Sequence, residues 1–294
     1  MPRRDNLARL RSVGPRVSSS PEKPFLHGWQ WGFQGKTVWD YLQLFLLPTV
    51  FVLGIIYLTM QANRRQEQAF LEQQQLVEEQ YQQDILQSYF GDIATAMTQN
   101  LRTSPPDSPL KSVTKTKTLA ILRELDGDRK GRVLQFLHDS NLIGTPNPVI
   151  NLGRADLRNA VLNNATLNAA MLNGADFSDA NLKFVNLGNS NLNGALLQNA
   201  DLEQAFLGNA IAWGGYLRNA NLNNADLTGA DLRFAILSDA SLRGAKLNNT
   251  VLSGAILENA DLRNANLQGT SLDGAFLCNT TMPDGSIENR DCSK

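Results

Sequence analysis

ADLRN AVLNN ATLNA AMLNG ADFSD ANLKF VNLGN, residues 155–189 written in groups of five, displays the period that decides the fold. From Leu152 to Leu277 the group centre is leucine everywhere except Phe177 and Ala212, 26 positions in one register without a slip. Two residues before each centre stands a small side chain, nearly always alanine, with exceptions such as Val185 and Ser190. A period of five suits neither a helix, whose apolar face recurs at about 3.6, nor an uninterrupted strand, whose faces alternate at about 2. It suits a short extended piece followed by a corner. The small residue and the leucine, two apart, then share the inward side, and the following two residues make the turn. Leucine with alanine fills a narrow interior, and such units are stable only when stacked.

The corners carry their own signature. If four units close one coil, equivalent positions recur every 20 residues, and two columns after the centre become nearly uniform. One reads Arg154, Gly174, Gly194, Gly214, Phe234, Gly254, Gly274; another reads Asn159, Asp179, Asn199, Asn219, Asp239, Asn259, Asn279. Glycine accepts positive φ without penalty, and Asn and Asp accept it better than most residues, so both columns fit tight corners.

The units A-D-L-R-N, A-N-L-N-N, A-D-L-T-G and A-N-L-Q-G resemble the pentapeptide-repeat family. The resemblance covers residues 150–282 and implies an all-β solenoid, a right-handed quadrilateral β-helix. About six and a half coils at an inter-strand spacing of ~4.8 Å give a length on the order of 31 Å. Such a likeness implies architecture and leaves activity open.

Outward from the repeat, residues 114–143 read as a helical hairpin, in which Leu119, Leu122 and Leu125 face Val133, Leu134, Phe136, Leu137 and Leu142. Asp126-Gly127-Asp128 is the turn, with Asp128 as the expected N-cap. Asp126, Asp128 and Gly131 also match three positions of a calcium loop. Lys130 then occupies a ligand position and Leu137 stands where a bidentate Glu is required, so the metal reading is rejected. A β-helix exposes backbone and leucine at each end, and the hairpin is assigned as the N-terminal cap. Residues 103–113, with Pro105, Pro106 and Pro109, read as a linker. Residues 61–102 read as an amphipathic helix rich in Gln and Glu, with an apolar stripe through Phe70, Val77, Tyr81, Ile85 and Tyr89. That stripe suits either a short coiled coil that dimerises the anchor or packing on the next module. Because it falls short of several clean heptads, packing or loose association is favoured over a long zipper.

Residues 41–60, YLQLFLLPTVFVLGIIYLTM, lie in a run without charge between Asp40 and Arg64. Twenty mostly apolar residues span about 30 Å as a helix, enough to cross a bilayer. Trp29, Trp31, Phe33 and Trp39 before the run, Tyr41 at its start and Tyr57 near its end are expected to form an interfacial aromatic belt. The run is too long for a signal-peptide core and is expected to remain as an anchor. Residues 1–40 are a flexible basic N-terminal segment with Arg3, Arg4, Arg9, Arg11 and Arg16. By the positive-inside rule the N-terminus is cytoplasmic and the repeat domain periplasmic or lumenal, while Arg64 and Arg65 beside the span leave the reverse orientation open. GKTVWDYLQLFLLP and the hairpin sequence also resemble the N-terminal regions of membrane-anchored bacterial pentapeptide-repeat proteins, common in cyanobacteria.

Residues 283–294 resemble the C-terminal capping tail of some pentapeptide-repeat proteins, and Cys278, which points outward, is placed to meet Cys292. A bridge over so short a loop suits a non-cytoplasmic compartment; two free thiols are the alternative.

The repeat contains no histidine, and His27 and His138 are isolated. No nucleophile elbow, phosphate loop, zinc-protease motif or cysteine cluster is present. Asp156, Asp176, Asp201, Asp226, Asp231 and Asp261 occupy the ordinary slot before the leucine, where a solvated carboxylate is the simplest reading. No enzyme activity, metal or cofactor is expected. A formal charge of −1 argues against a general nucleic-acid binder. One outward column does stand out: after Asp156 and Asp176 it reads Leu196, Tyr216, Ile236, Ile256, Phe276, with Ile211 and Trp213 placed near its middle. Five apolar rungs run on the order of 20 Å and mark a contact surface for an unknown protein partner or for self-association. A membrane-tethered, non-catalytic scaffold is therefore expected. The alternative implied by the resemblance, a DNA-mimicking gyrase-interacting protein, requires a strongly acidic surface, whereas residues 150–294 carry 14 acidic against 10 basic side chains.

Overall fold

The computed structural model describes residues 38–144 and 148–292. The basic segment and the aromatic residues Trp29, Trp31 and Phe33 lie outside the described residues. The described elements are α1 (Val38–Thr98), α2 (Pro109–Glu124), α3 (Gly127–Asp139), β1 (Thr280–Thr281) and β2 (Ile287–Glu288), with the repeat between α3 and β1. The chain divides into two compact units, with the boundary between Glu72 and Gln73 inside α1.

In the first unit, α1 presents a window of mean hydropathy 2.1, none of it buried, and is long and apolar enough to cross a membrane. Pro48 sits inside the helix, and Thr49 Oγ1 donates to Phe45 O at 2.8 Å close to the interruption. The change from apolar to Gln- and Glu-rich sequence at residue 61 does not end the helix. Backbone hydrogen bonding is indifferent to that change, and Gln and Glu are good helix formers.

The second unit contains the end of α1, the α2–α3 hairpin and the repeat. Leu86, Tyr89, Ile93 and Ala96, at helical spacing, are buried against the hairpin core of Leu122, Val133, Leu134 and Leu137. Tyr89 Oη and Thr118 Oγ1 share a hydrogen bond of 2.8 Å, and burial pushes the phenol pKa up. Helix α2 starts at Pro109, inside the stretch read as linker, because Ser108 caps it by accepting from Lys111 N and Pro109 is preset for the first turn. Helix α3 is capped by Asp126 and not by Asp128, which falls in its first turn. The extended backbone of Asp126 lets its carboxylate accept from Arg129 N at 2.8 Å, and the same carboxylate and Glu79 hold the buried Arg129 guanidinium.

From Asp156 onward the repeat forms parallel bridges between residues 20 apart, in four columns, so each coil has four faces. The centres from Leu152 to Leu262 donate to the next coil, as Leu217 N does to Ile236 O at 2.7 Å, and from Asp176 onward the residue before the centre donates to the previous coil, as Tyr216 N does to Ala195 O at 2.9 Å. Corners close through bonds such as Ala220 N to Leu217 O, 3.1 Å. Gly174, Gly194, Gly214, Gly254 and Gly274 all have positive φ, as do Asn159, Asn199 and Asn219. The inner leucines and alanines form one continuous buried column; among the group centres only Leu267 and Leu272, in the last coil, are half-buried.

The two ends are closed differently. At the first coil, Val161 N donates to Gly127 O at 2.9 Å. A Cβ on Gly127 or Gly131 would run into the carbonyls of Asn159 and Val161, so these glycines permit the close approach of α3. Lys130, buried, donates to Arg158 O at 3.0 Å and to Asp156 Oδ1 at 3.3 Å. At the last coil β1 pairs antiparallel with β2. Side chains of the tail do the rest: Asp291 accepts from Leu277 N at 2.8 Å, Asn289 from Asn279 N at 2.7 Å, and Arg290 donates to Ala275 O at 2.8 Å. A disulfide joins Cys278 to Cys292.

Candidate interaction surface

The face that stands out is built from the residue before each centre, whose side chain must point away from the leucine that follows it. Parallel bridges connect Asp176 to Leu196, Leu196 to Tyr216, Tyr216 to Ile236, Ile236 to Ile256 and Ile256 to Phe276. Tyr216, Ile256 and Phe276 are exposed, and Leu196 and Ile236 are half-buried. The five rungs therefore form an uninterrupted apolar ladder. β-branched and aromatic side chains also suit a flat sheet surface, but the other faces do not repeat this composition.

Ile211 is not a rung of this ladder. It bridges Asn191 and Asp231 and belongs to the adjoining face, one unit earlier in the coil. Trp213, half exposed, stands between Ile211 and the rung Tyr216, and its ring meets Phe234 edge-on with centroids 6.0 Å apart. Phe234 extends the patch beyond the sequence-derived set. Its signal was present, a lone aromatic in a column of glycines, but a corner position says nothing of where a ring will lie. It adopts φ +57°, which costs an ordinary residue backbone strain. Its ring lies where a Cβ on Gly254 would be, so glycine in the next coil makes room for it.

The next face is polar: Asn181, Asp201, Asn221, Ser241 and Asp261 occupy the equivalent rungs. Asn221 Nδ2 donates to Asp201 Oδ1 at 2.9 Å. On the corner before it, Asn199 donates to Asp179, Asn219 to Asn199, Asn259 to Asp239 and Asn279 to Asn259, all within 3.2 Å.

The carboxylates of the repeat are largely neutralised. Arg158, Arg233 and Arg263 each fold back two residues to hold Asp156, Asp231 and Asp261. The hydrogen bond from Arg158 is the main reason the Asp156 carboxyl drops to about 2, opposed by partial burial and helped by Lys130. Asp231 and Asp261 are lowered for the same first reason, their own arginines. Asp226 is also lowered: partial burial opposes the shift, while hydrogen bonds from Thr228 and the charge of Lys246 drive it. These are ionised groups paired with neighbouring cationic side chains. Among the described residues no three His, Cys, Asp or Glu side chains gather where they would hold a metal ion.

The sequence profile described as pentapeptide repeats matches in eight copies over residues 150–183, 175–211, 216–249 and 245–282. The match to pentapeptide repeats thus covers residues 150–211 and 216–282, and the break at 212–215 falls on Ala212, Trp213, Gly214 and Gly215, beside the aromatic corner. The coil continues through the break, with Ala212 N donating to Asp231 O at 2.8 Å. No curated protein matches the chain in sequence.

Solved structures similar to it include HetL, a pentapeptide repeat protein involved in heterocyst differentiation regulation from the cyanobacterium Nostoc sp. strain PCC 7120, at 27% identity, covering 47% of this chain and 93% of that one, with a TM-score of 0.17. A pentapeptide repeat protein from the Arabidopsis thaliana thylakoid lumen is 29% identical over 38% of this chain and 67% of its own, with a TM-score of 0.19. QnrB1, a plasmid-mediated fluoroquinolone resistance protein, is 20% identical over 43% of this chain and 81% of its own, with a TM-score of 0.20.

Proposed function

We propose that this chain is a non-catalytic protein-interaction module, tethered to a membrane through the apolar part of α1, that binds its partner on the ladder face and the adjoining aromatic corner. One observation carries the reading: five apolar rungs from Leu196 to Phe276 lie side by side in register, next to the Trp213–Phe234 pair. An exposed apolar patch of a few hundred Å² is what contact sites are made of, and aromatic residues dominate their energetics. The tether is supported by the length and hydropathy of α1. The Cys278–Cys292 bridge favours an oxidising compartment for the repeat. The cytoplasmic N-terminus expected from the basic segment agrees with it. A DNA-mimicking role is not favoured, because Asp156, Asp231 and Asp261 are paired with arginine instead of forming an acidic surface.

The test compares the full chain and its Tyr216→Asp/Ile236→Asp double variant, both isolated from membranes in mild detergent. Two carboxylates placed on the ladder should remove about 3 kcal/mol of contact energy, on the order of a hundredfold in affinity, with the unfolding curve unchanged. Recovery of the same partner or the same assembly in equal yield would retire the ladder as the contact face.

A further inference from the structure

From Trp39 to Tyr81, α1 is exposed residue by residue, and the stretch after residue 60 is too polar to be lipid-covered. Its apolar side chains are nonetheless in the open: Phe70 is 60% exposed, Leu71 56%, Leu76 69%, Val77 64% and Tyr81 51%, with Leu71 lying off the line that the others follow or flank. At about 100° per residue, Val77 and Tyr81 lie close to one line along the helix, and Gln82, Tyr89 and Ile93, the positions buried by the hairpin, centre about 120° away. The hairpin therefore occupies another side of α1 and does not cover this one. Phe70, one heptad before Val77, continues the line.

The charges sort themselves around it. Taking Asn63, Phe70 and Val77 as one seam position puts Gln66, Gln73 and Gln80 at the other, with Ala69, Leu76, Gln74 and Tyr81 flanking. Arg64, Arg65, Glu72, Glu78 and Glu79 all fall on the opposite side, where Glu79 is already held by Arg129. Only Glu67 interrupts the uncharged side between residues 62 and 83.

We propose that residues 62–83 of α1 are a parallel pairing surface whose occupant is the same stretch of a second copy of this chain. Three glutamines at heptad spacing favour that occupant. In an in-register parallel pair each amide meets its own copy and can both donate and accept, whereas an unrelated helix would leave them unmatched. The parallel, level alignment rests on the membrane reading above, since two copies crossing one bilayer in the same direction present this stretch at the same height. Glutamine at a seam position costs stability, so the pair is weak in free solution and depends on the raised local concentration of tethered chains.

The experiment places single cysteines in the full chain, in vesicles of phosphatidylethanolamine and phosphatidylglycerol. Phe70→Cys and Val77→Cys probe the seam, Glu72→Cys the opposite side, and copper phenanthroline serves as oxidant. Cys278 and Cys292 are already joined to each other and do not compete. Dimer formation on the order of tenfold greater at Val77→Cys and Phe70→Cys than at Glu72→Cys is expected for a seam geometry. Equal crosslinking at all three positions, or none at the seam, overturns the pairing. Carbonate extraction of the same vesicles reads the tether separately: protein released by carbonate yet crosslinked at Val77→Cys sinks the membrane reading and keeps the pairing.

Discussion

The face that carries Tyr216 and Ile236 and the next face, which carries Asn221 and Ser241, are built on the same plan. Both are parallel bridged columns with the same backbone ladder, and both lie over buried leucine and alanine. They differ only outside, where one is an apolar ladder and the other a run of amides, hydroxyls and carboxylates in which Asn221 donates to Asp201. Folding draws on the inward pair and on the corner residues. The residue before each leucine stays outside the core, where Asp and Asn accept from the backbone N–H two residues on, as Asp201 does from Glu203 N; apolar rungs forgo that bond, so a surface that departs from the polar rule reports something other than stability.

The largest expected effect tests the shared half of that comparison. Leu237 lies under the apolar ladder and Leu242 under the polar face, both fully buried. Leu237→Ala and Leu242→Ala should each cost about 3 kcal/mol in denaturant unfolding. A gap between the two well beyond about 1 kcal/mol would show that the interior is not common property of the faces.

A smaller effect lies at the C-terminal end, where both faces finish under the tail. Cys278→Ser should cost about 2 kcal/mol, at the low end for disulfides because the loop is short. Hydrogen exchange at the Leu277 and Asn279 amides, which rely on Asp291 and Asn289, should rise, while the Tyr216 and Asn221 amides keep their protection. Faster exchange throughout would mean that the tail holds the whole solenoid and not only its end.

Acid should act mainly on the carboxylates and spare the apolar rungs. The Asp156 carboxyl sits at about 2, below the ordinary 3.8. A depressed carboxyl contributes stability in full above the unfolded value and loses it as the pH falls through the folded one. Between pH about 4 and about 2 the junction of α3 with the first coil should loosen, seen as faster exchange of the Val161 amide that donates to Gly127 O. Asp156→Asn should remove most of this pH dependence and leave the Ile236 amide unaffected.

Much of this was legible in the residues. The five-residue spacing marks the corners, and the Gly and Asn columns repeating every 20 residues mark four-sided coils; the other two corner columns, with Asn164, Ala169, Phe184 and Asn189 also at positive φ, are too mixed in composition to show it. Less legible were features set by tertiary contact. Lys130 looked like a defect in a calcium loop, yet its ammonium is the buried donor that meets Arg158 O, a role visible only once α3 lies over the first coil. Asp126 caps α3 in place of Asp128 because the backbone turns two residues earlier than the local pattern suggests. Helix α1 runs unbroken through a composition change that looked like a boundary, since side-chain polarity selects the surroundings of a helix more than its continuity. Ile211 is near the ladder in sequence yet belongs to the adjoining face, since five residues in this fold is one face. The Trp213–Phe234 contact joins residues 21 apart on one corner, a distance the linear pattern hides.

Site-specific photocrosslinking tests directly whether the outward rungs are a contact face. A photoreactive phenylalanine analogue at position 236, and separately at 221, in the full chain in intact cells, compares the two faces in one molecule. Adducts formed from position 236 and absent from 221 are the predicted result. Equal adducts from both positions, or adducts from 221 alone, would contradict it.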